Sequence, residues 1–323
     1  MSQPTIEVEH LSKVYGSNVA IEDVHFSVNT GEILGFLGPN GAGKTTTMRI
    51  LAGYLPATAG TAKIAGYDVH RDSMQVRRRI GYLPETPPLY PDMTVKSFLH
   101  FVAKIKGVRA KQRRAKVIRA IERCQLVDRE NTVIRQLSKG YRQRVGIAQA
   151  IVHEPPAIVL DEPTVGLDPR QIIEVRNLIE SLAGEHTIII STHILPEAST
   201  LCDRVTIINR GKVVTTNTPR DLQAQLESNF GYEIEVAGEV EKILPLVSEI
   251  SGVVGVTQKD RSATKYGDRS LIQISCLPDT EPGTDLAAVI IEQGLKLHEM
   301  RRTRPSLEDV FLELTTEEPQ SNY

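Results

Sequence analysis

The sequence predicts an α/β protein: a doubly wound, mostly parallel core followed by a small α+β domain. Three observations predict it. Two short apolar runs, AIVL (157–160) and TIII (187–190), have the length and composition of strands buried on both faces of a parallel sheet. The stretch between them reads as one helix. Asp168 is its N-cap, Pro169 takes the first helical position, and Ile172, Val175, Ile179 and Leu182 make its buried face. After about residue 228 the strand and helix signals restart, which marks a second unit. Strand, helix and strand in that order imply parallel pairing with a helical crossover.

The other elements follow in chain order. TIEVEHLSKVY, VHFSV and EILGFLG, between residues 5 and 38, read as strands, the last ending in glycine. A helix is predicted after Lys44. Another spans about 94–105, with Thr94 as N-cap and Val95, Phe98, Leu99, Val102 and Ile105 on one face. A basic helix continues from about 110 to 125. LSKGYRQR (137–144) opens a further amphipathic helix, continued on its apolar side by Val145, Ala148, Ile151 and Val152. Beyond 228, GYEIEV, EKILPLVSEI, VVGVTQ, SLIQIS, TDLAAVIIEQG, LKLHEM and SLEDVFLELT give the order β-α-β-β-α-β-α, which suggests a ferredoxin-like domain. The expected division is 1–227, 228–315 and a disordered tail at 316–323, with a helical subdomain at about 90–155.

Composition narrows the class. The 323 residues suit two domains, and a net charge of −2 gives no overall attraction to nucleic acid, so none is expected as a partner. Cys124, Cys202 and Cys276 have no ligand spacing and read as reduced thiols of a cytosolic protein. No signal peptide is visible at MSQPTIEVEH, and the apolar runs are far short of a membrane span. Any membrane crossing would belong to another chain.

The chemistry concentrates in three stretches. Gly38, Pro39, Asn40, Gly41, Ala42, Gly43, Lys44 and Thr45 fit G-x-x-x-x-G-K-[ST], directly after a strand and before the helix that continues with Thr46. Glycines let backbone N–H groups turn inward around phosphates. Lys44 would reach the β- and γ-phosphates, and the Thr45 hydroxyl would meet Mg²⁺. In AIVLDE the buried strand delivers Asp161 to hold the metal and Glu162 to orient or deprotonate an attacking water. Leu137 and Ser138 with Lys139, Gly140 and Tyr141 form a second helix start suited to an anion.

GPNGAGKTT, LSKGYRQR, IVLDEPTVGLDP and STH, in this order, resemble the ATP-binding subunit of an ABC transporter. KGYRQR, DEPTVGLDP and SLEDVFLELT together are similar to the type-2 exporter group, the gliding-motility and multidrug-efflux ATPases. The resemblance covers residues 4 to about 225. It implies a P-loop NTPase of ABC type, with a RecA-like core, an antiparallel β subdomain and a helical subdomain.

The resemblance implies the following roles. Two chains close head to tail on two ATP molecules, so that Ser138 and Gly140 face the ATP held by Lys44 of the other chain. Tyr15 stacks on adenine, His193 contacts the γ-phosphate, and Asp168 links the two sites across the dimer. Lys139 and Tyr141 replace the third and fifth residues of the usual LSGGQ, and Lys139 is expected to add attraction to phosphate. Glu85 replaces a glutamine that contacts Mg²⁺ and senses the membrane subunit. The implied function is ATP hydrolysis driving export through a separate integral membrane permease, at the inner face of the cell membrane. The implied dimer is of two copies, or of this chain with a related ATPase. The alternative is a non-transport ABC ATPase acting on ribosomes or DNA. It is disfavoured by the single nucleotide domain and by the lack of sustained heptads between phosphate loop and signature. No motif identifies the cargo.

Overall fold

The computed structural model describes residues 4–222, 231–264, 267–277 and 280–303. They divide into two compact units, parted between Pro219 and Arg220.

The first unit is built on a six-stranded sheet. Strands β3 (Ile33–Leu37), β6 (Ile80–Leu83), β7 (Ala157–Asp161), β8 (Thr187–Thr192), β9 (Arg204–Asn209) and β10 (Lys212–Asn217) lie in the order β10-β9-β3-β8-β7-β6. All neighbours are parallel except the β9–β10 edge pair. Both apolar runs are the parallel strands expected, and β3, β7 and β8 are buried along their whole length. Helix α1 (Lys44–Leu51) follows β3, and α6 (Pro169–Leu182) crosses from β7 to β8. The Asp168 carboxylate accepts the Gln171 N–H, the N-cap read from the sequence. Val175, Leu178, Ile179 and Leu182 form the buried face of α6, while Ile172 at its start is half-buried.

An antiparallel sheet, β2-β1-β4-β5, contains β1 (Ile6–Tyr15), β2 (Asn18–Val28), β4 (Ala59–Ile64) and β5 (Tyr67–Asp68). Its inward side chains Ile6, Val8, Leu11, Ile21 and Val24 share one core with α1 and with Phe36, Val159 and Ile189 of the central sheet. Helix α2 (Ser73–Arg79) leads into β6.

Between β6 and β7 come α3 (Val95–Ile105), α4 (Ala110–Arg123) and α5 (Lys139–Ile151). Thr94 caps α3 by accepting the Ser97 N–H. Val95, Phe98, Leu99, Val102 and Ala103 are buried. The sequence reading also placed Ile105 inside, but it is 66% exposed: it lies on the flank of the apolar stripe, in the last turn. Helix α7 (Leu195–Leu201) follows β8.

The second unit has one antiparallel sheet, β12-β13-β11-β14, made of β11 (Gly231–Ala237), β12 (Val253–Thr264), β13 (Gly267–Cys276) and β14 (Lys296–Thr303). EKILPLVSEI is not one helix. A 3₁₀ turn, Val240–Lys242, is followed by a short helix, Leu244–Ser248, because Pro245 fits only a first helical turn. With helix Gly283–Glu292, the expected β-α-β-β-α-β order is present. Tyr232, Ile234, Val236, Ile272, Ile274, Leu286 and Ile290 form its core. SLEDVFLELT and the predicted tail lie outside the described residues.

Candidate nucleotide and metal site

Parallel strands present their carboxyl ends on one edge, and there the turns after β3, β7 and β8 meet. They converge on a cavity of about 550 Å³. Tyr15, Asn40, Gly41, Gly43, Lys44, Thr45, Thr46, Glu85, Glu162 and His193 line it, with Asn18, Val19, Ala20 and Val165. Ten residues singled out from sequence thus share one space, although they span positions 15 to 193.

The glycine loop holds Lys44 beneath this cavity. The Lys44 ammonium is buried and donates to the carbonyl oxygens of Gly38 (2.7 Å) and Pro39 (3.2 Å), and it lies 3.4 Å from Glu162 Oε1. A buried cation needs such partners, and an anionic ligand would compete for it. Gly38, Pro39 and Ala42 are not cavity walls; they form the turn that supports it. Gly43 has φ of 106°, and a Cβ there would come within 2.5 Å of Ile21 Cγ2 and 2.7 Å of the Ala20 carbonyl oxygen. Gly43→Ala is therefore expected to distort the loop at a cost of about 1–3 kcal/mol and to weaken ATP affinity at least in proportion. Isothermal titration with ATP checks this, and unchanged affinity would contradict it.

Asp161 ends β7 directly under α1. Its Oδ1 accepts the Ser191 hydroxyl (2.5 Å) and the Thr45 hydroxyl (3.3 Å), while its buried Oδ2 has no hydrogen-bond partner. Burial pushes the Asp161 carboxyl up from its ordinary value, and the charges of Glu162 and Glu85 add to this against the opposing Ser191 and Thr45 hydrogen bonds. A buried carboxylate with an unused oxygen, beside a threonine hydroxyl and exposed Glu85, is the hard oxygen donor set that a small divalent cation takes. The residues therefore fit the metal expected from the sequence.

Glu162 follows with a left-handed backbone, φ 50°, which is costly for a residue with a Cβ. Its N–H donates to the Ser191 hydroxyl (3.0 Å) and carbonyl oxygen (3.1 Å), which holds the turn. Its Oε2 lies 2.9 Å from His193 Nδ1. The carboxylate is thereby fixed between Lys44 and His193 at the cavity wall.

Two contributors were not singled out from sequence. Ser191 binds both carboxylate residues because the register sets it beside Asp161 across the β7–β8 ladder. It was visible only as the first letter of STH. Glu197 on α7 accepts the Thr164 hydroxyl (2.7 Å) and the Thr192 hydroxyl (3.3 Å), joining the turns that carry Glu162 and His193. No sequence signal marked it.

The second helix start is elsewhere. Ser138 caps α5 by accepting the Tyr141 N–H. Ser138, Gly140, Tyr141 and Asp168 line a hollow of about 320 Å³ with Arg144, Arg170, Gln171 and Glu174, and none of these lines the first cavity. A Cβ on Gly140 would lie 2.7 Å from the Gln171 side chain, so the close α5–α6 approach requires this glycine. Lys139 turns away from the hollow. A Cβ on Gly166 would lie 2.1 Å from its ammonium, and Lys139 lines a separate groove that also contains Glu85. Leu137 is buried behind the cap.

Comparison with known proteins agrees with this geometry. Residues 21–165 match the family described as ABC transporter. The chain is 35% identical to the Nod factor export ATP-binding protein I of Burkholderia orbicola (strain AU 1054), over 99% of this chain and 100% of that protein. It is 32% identical to the daunorubicin resistance ATP-binding protein DrrA3 of Streptomyces coeruleorubidus, over 98% and 97%. A bacterial ABC transporter cassette solved as a dimer superposes with a TM-score of 0.61 at 26% identity, covering 67% of this chain and 99% of that one. The chain belongs to the ATP-binding subunits of ABC transporters. It is an ATPase of that family, and the fold of its first unit is the ABC cassette.

Proposed function

We propose that the protein powers export through a separate membrane-spanning permease, by ATP-driven closure of two ATPase subunits head to tail. The observation that carries this is the separation of the two anion sites. Lys44, Thr45, Glu162 and His193 share one cavity, while Ser138 and Gly140 line another hollow of the same chain. A phosphate held by Lys44 is completed by the signature helix only when a second subunit supplies it.

Within each site, the loop N–H groups and Lys44 hold the β- and γ-phosphates, and Tyr15, 45% exposed at the cavity edge, offers its ring to adenine. Thr45, Asp161 and Glu85 are the residues that would hold Mg²⁺, which neutralises developing charge on the phosphate oxygens. Glu162 takes the proton of the attacking water, and His193 fixes the orientation of that carboxylate. Asp168 borders the signature hollow and carries contact across the dimer. The relatives named for export and resistance support an export role. No described helix is long and apolar enough to cross a membrane, so the placement proposed is the cytoplasmic face, attached to the permease. The ferredoxin-like second unit, taken as a domain of about 228–315, supports the dimer or regulates it.

Affinity purification of the Glu162→Gln chain from gently solubilised native membranes with ATP tests the proposal. A polytopic membrane protein in stoichiometric amount is expected; ribosomal or DNA-repair proteins in its place would overturn export. Glu85, which lines both the ATP cavity and the neighbouring groove, is the proposed sensor of the permease. Glu85→Ala is expected to lower the permease-stimulated hydrolysis rate several-fold, at about 1 kcal/mol of coupling. An unchanged stimulated rate would count against that role.

A further inference from the structure

The basic run 104–119 divides into two groups once folded. Lys116 lies 2.8 Å from Glu154, and Arg119 reaches Glu154 (3.5 Å) and Glu185 (3.6 Å). Lys106 turns inward, its ammonium donating to the carbonyl oxygens of Arg77 (2.9 Å) and Ile80 (3.0 Å). These cations tie α3 and α4 to the rest of the unit. Lys104, Arg109, Lys111 and Arg114 behave differently. All four are exposed, and among the described residues none of them has a carboxylate at ion-pair distance.

Partly exposed apolar side chains lie beside these free cations, the Phe101 ring with its centroid 5.3 Å from that of Tyr90. On α3, Phe101 (37% exposed), Lys104 and Ile105 follow one face at spacings of three and four. On α4, Lys111, Arg114 and Ile118 (37% exposed) follow another, which Glu122 closes at its far end. The two helices pack together. His100 of α3 is held below its ordinary value first by burial and then by the charges of Arg113, Lys96 and Arg114. Both stripes are carried by this packed helix pair.

Single exposed apolar residues are ordinary, but apolar side chains grouped among unpaired cations mark an interaction surface. None of these residues lines the hollows described above. Free cations interleaved with apolar side chains suit an anionic lipid surface. The ammonium and guanidinium groups meet headgroup phosphates, and the apolar groups enter the boundary with the acyl chains. We propose that the α3–α4 face bearing Phe101, Lys104, Ile105, Lys111, Arg114 and Ile118 binds anionic lipid directly. This deepens the membrane-facing placement proposed above. Its test needs no permease, so either reading can fail alone.

The test is co-sedimentation of the purified full chain with vesicles of phosphatidylcholine, alone or mixed with phosphatidylglycerol. Binding is expected only to the anionic vesicles, and it should disappear near 1 M salt, where screening acts within about 3 Å. Lys111→Glu with Arg114→Glu should weaken binding about ten-fold or more, and Phe101→Ser with Ile105→Ser should weaken it as well. Circular dichroism and ATP affinity should stay unchanged in both. No binding to anionic vesicles, or binding indifferent to both pairs, would overturn the proposal. Loss on charge reversal with indifference to the serine pair would overturn the part given to Phe101 and Ile105 and leave attachment to anionic lipid by charge alone.

Discussion

Glu162→Gln is expected to lower ATP turnover by about 10²–10⁴-fold while ATP still binds, the range that a positioned general base contributes. The amide keeps the size of the carboxylate and can still bond to His193, so the cavity should hold its shape. It cannot accept a proton. It also removes the anion 3.4 Å from the Lys44 ammonium, which leaves that cation freer for phosphate. ATP should therefore be retained, and two chains should stay closed on it, because ligand buried only in the dimer stabilises the dimer by mass action. Single-turnover hydrolysis and light scattering with ATP-Mg²⁺ check both halves. Turnover within a few-fold of the parent rate would remove Glu162 as the base. A monomer at saturating nucleotide would contradict dimerisation without the permease.

Asp161→Asn is expected to move activity and stability in opposite directions. Without the Asp161 carboxylate the cation would keep only Glu85 as an anionic ligand, and hydrolysis should fall about 10²-fold or more. Binding of Mn²⁺, followed by its paramagnetic signal, should weaken in parallel, a readout independent of turnover. Stability without divalent cations should rise. Burial raises the folded-state carboxyl above its unfolded value of 3.8, so the ionised form costs stability as pH rises through the folded value and above it. At neutral pH the parent chain carries that cost and the amide does not. The variant should melt higher by on the order of 2 °C, and the gap should close in acid, where Asp161 is protonated. A lower melting temperature at neutral pH would show that the Asp161 hydrogen bonds, not its buried charge, dominate there.

Much of this site was legible in the residues alone. A glycine-rich turn between an apolar strand and a helix has few uses other than holding phosphate, and Lys44 and Thr45 are placed by that turn. The runs AIVL and TIII read as buried strands, which put Asp161 at the end of one and His193 just after the other. Helix starts were legible for the same local reason. Thr94, Ser138 and Asp168 each cap a helix whose first N–H groups lie within reach of their own side chain.

What the sequence could not decide was everything set by pairing across the chain. Ser191 serves Asp161 because β7 and β8 pair in one register, and a shift of one residue would turn it away. Glu197 joins the nearby turn at Thr192 to the turn at Thr164, which only the fold brings beside it. Lys139 was expected to attract phosphate across the dimer, and within its own chain its ammonium lies against Gly166, a neighbour that no spacing reveals. Ile105 matched the helical period and still stayed in solvent, since period names a face but not what covers it. The basic run shows the division most clearly: charge was plain from the letters, but only folding separated Lys116 and Arg119, neutralised by Glu154 and Glu185, from Lys111 and Arg114, left facing outward. Local chemistry is written in adjacent residues; which charges remain free depends on partners brought together by the tertiary fold.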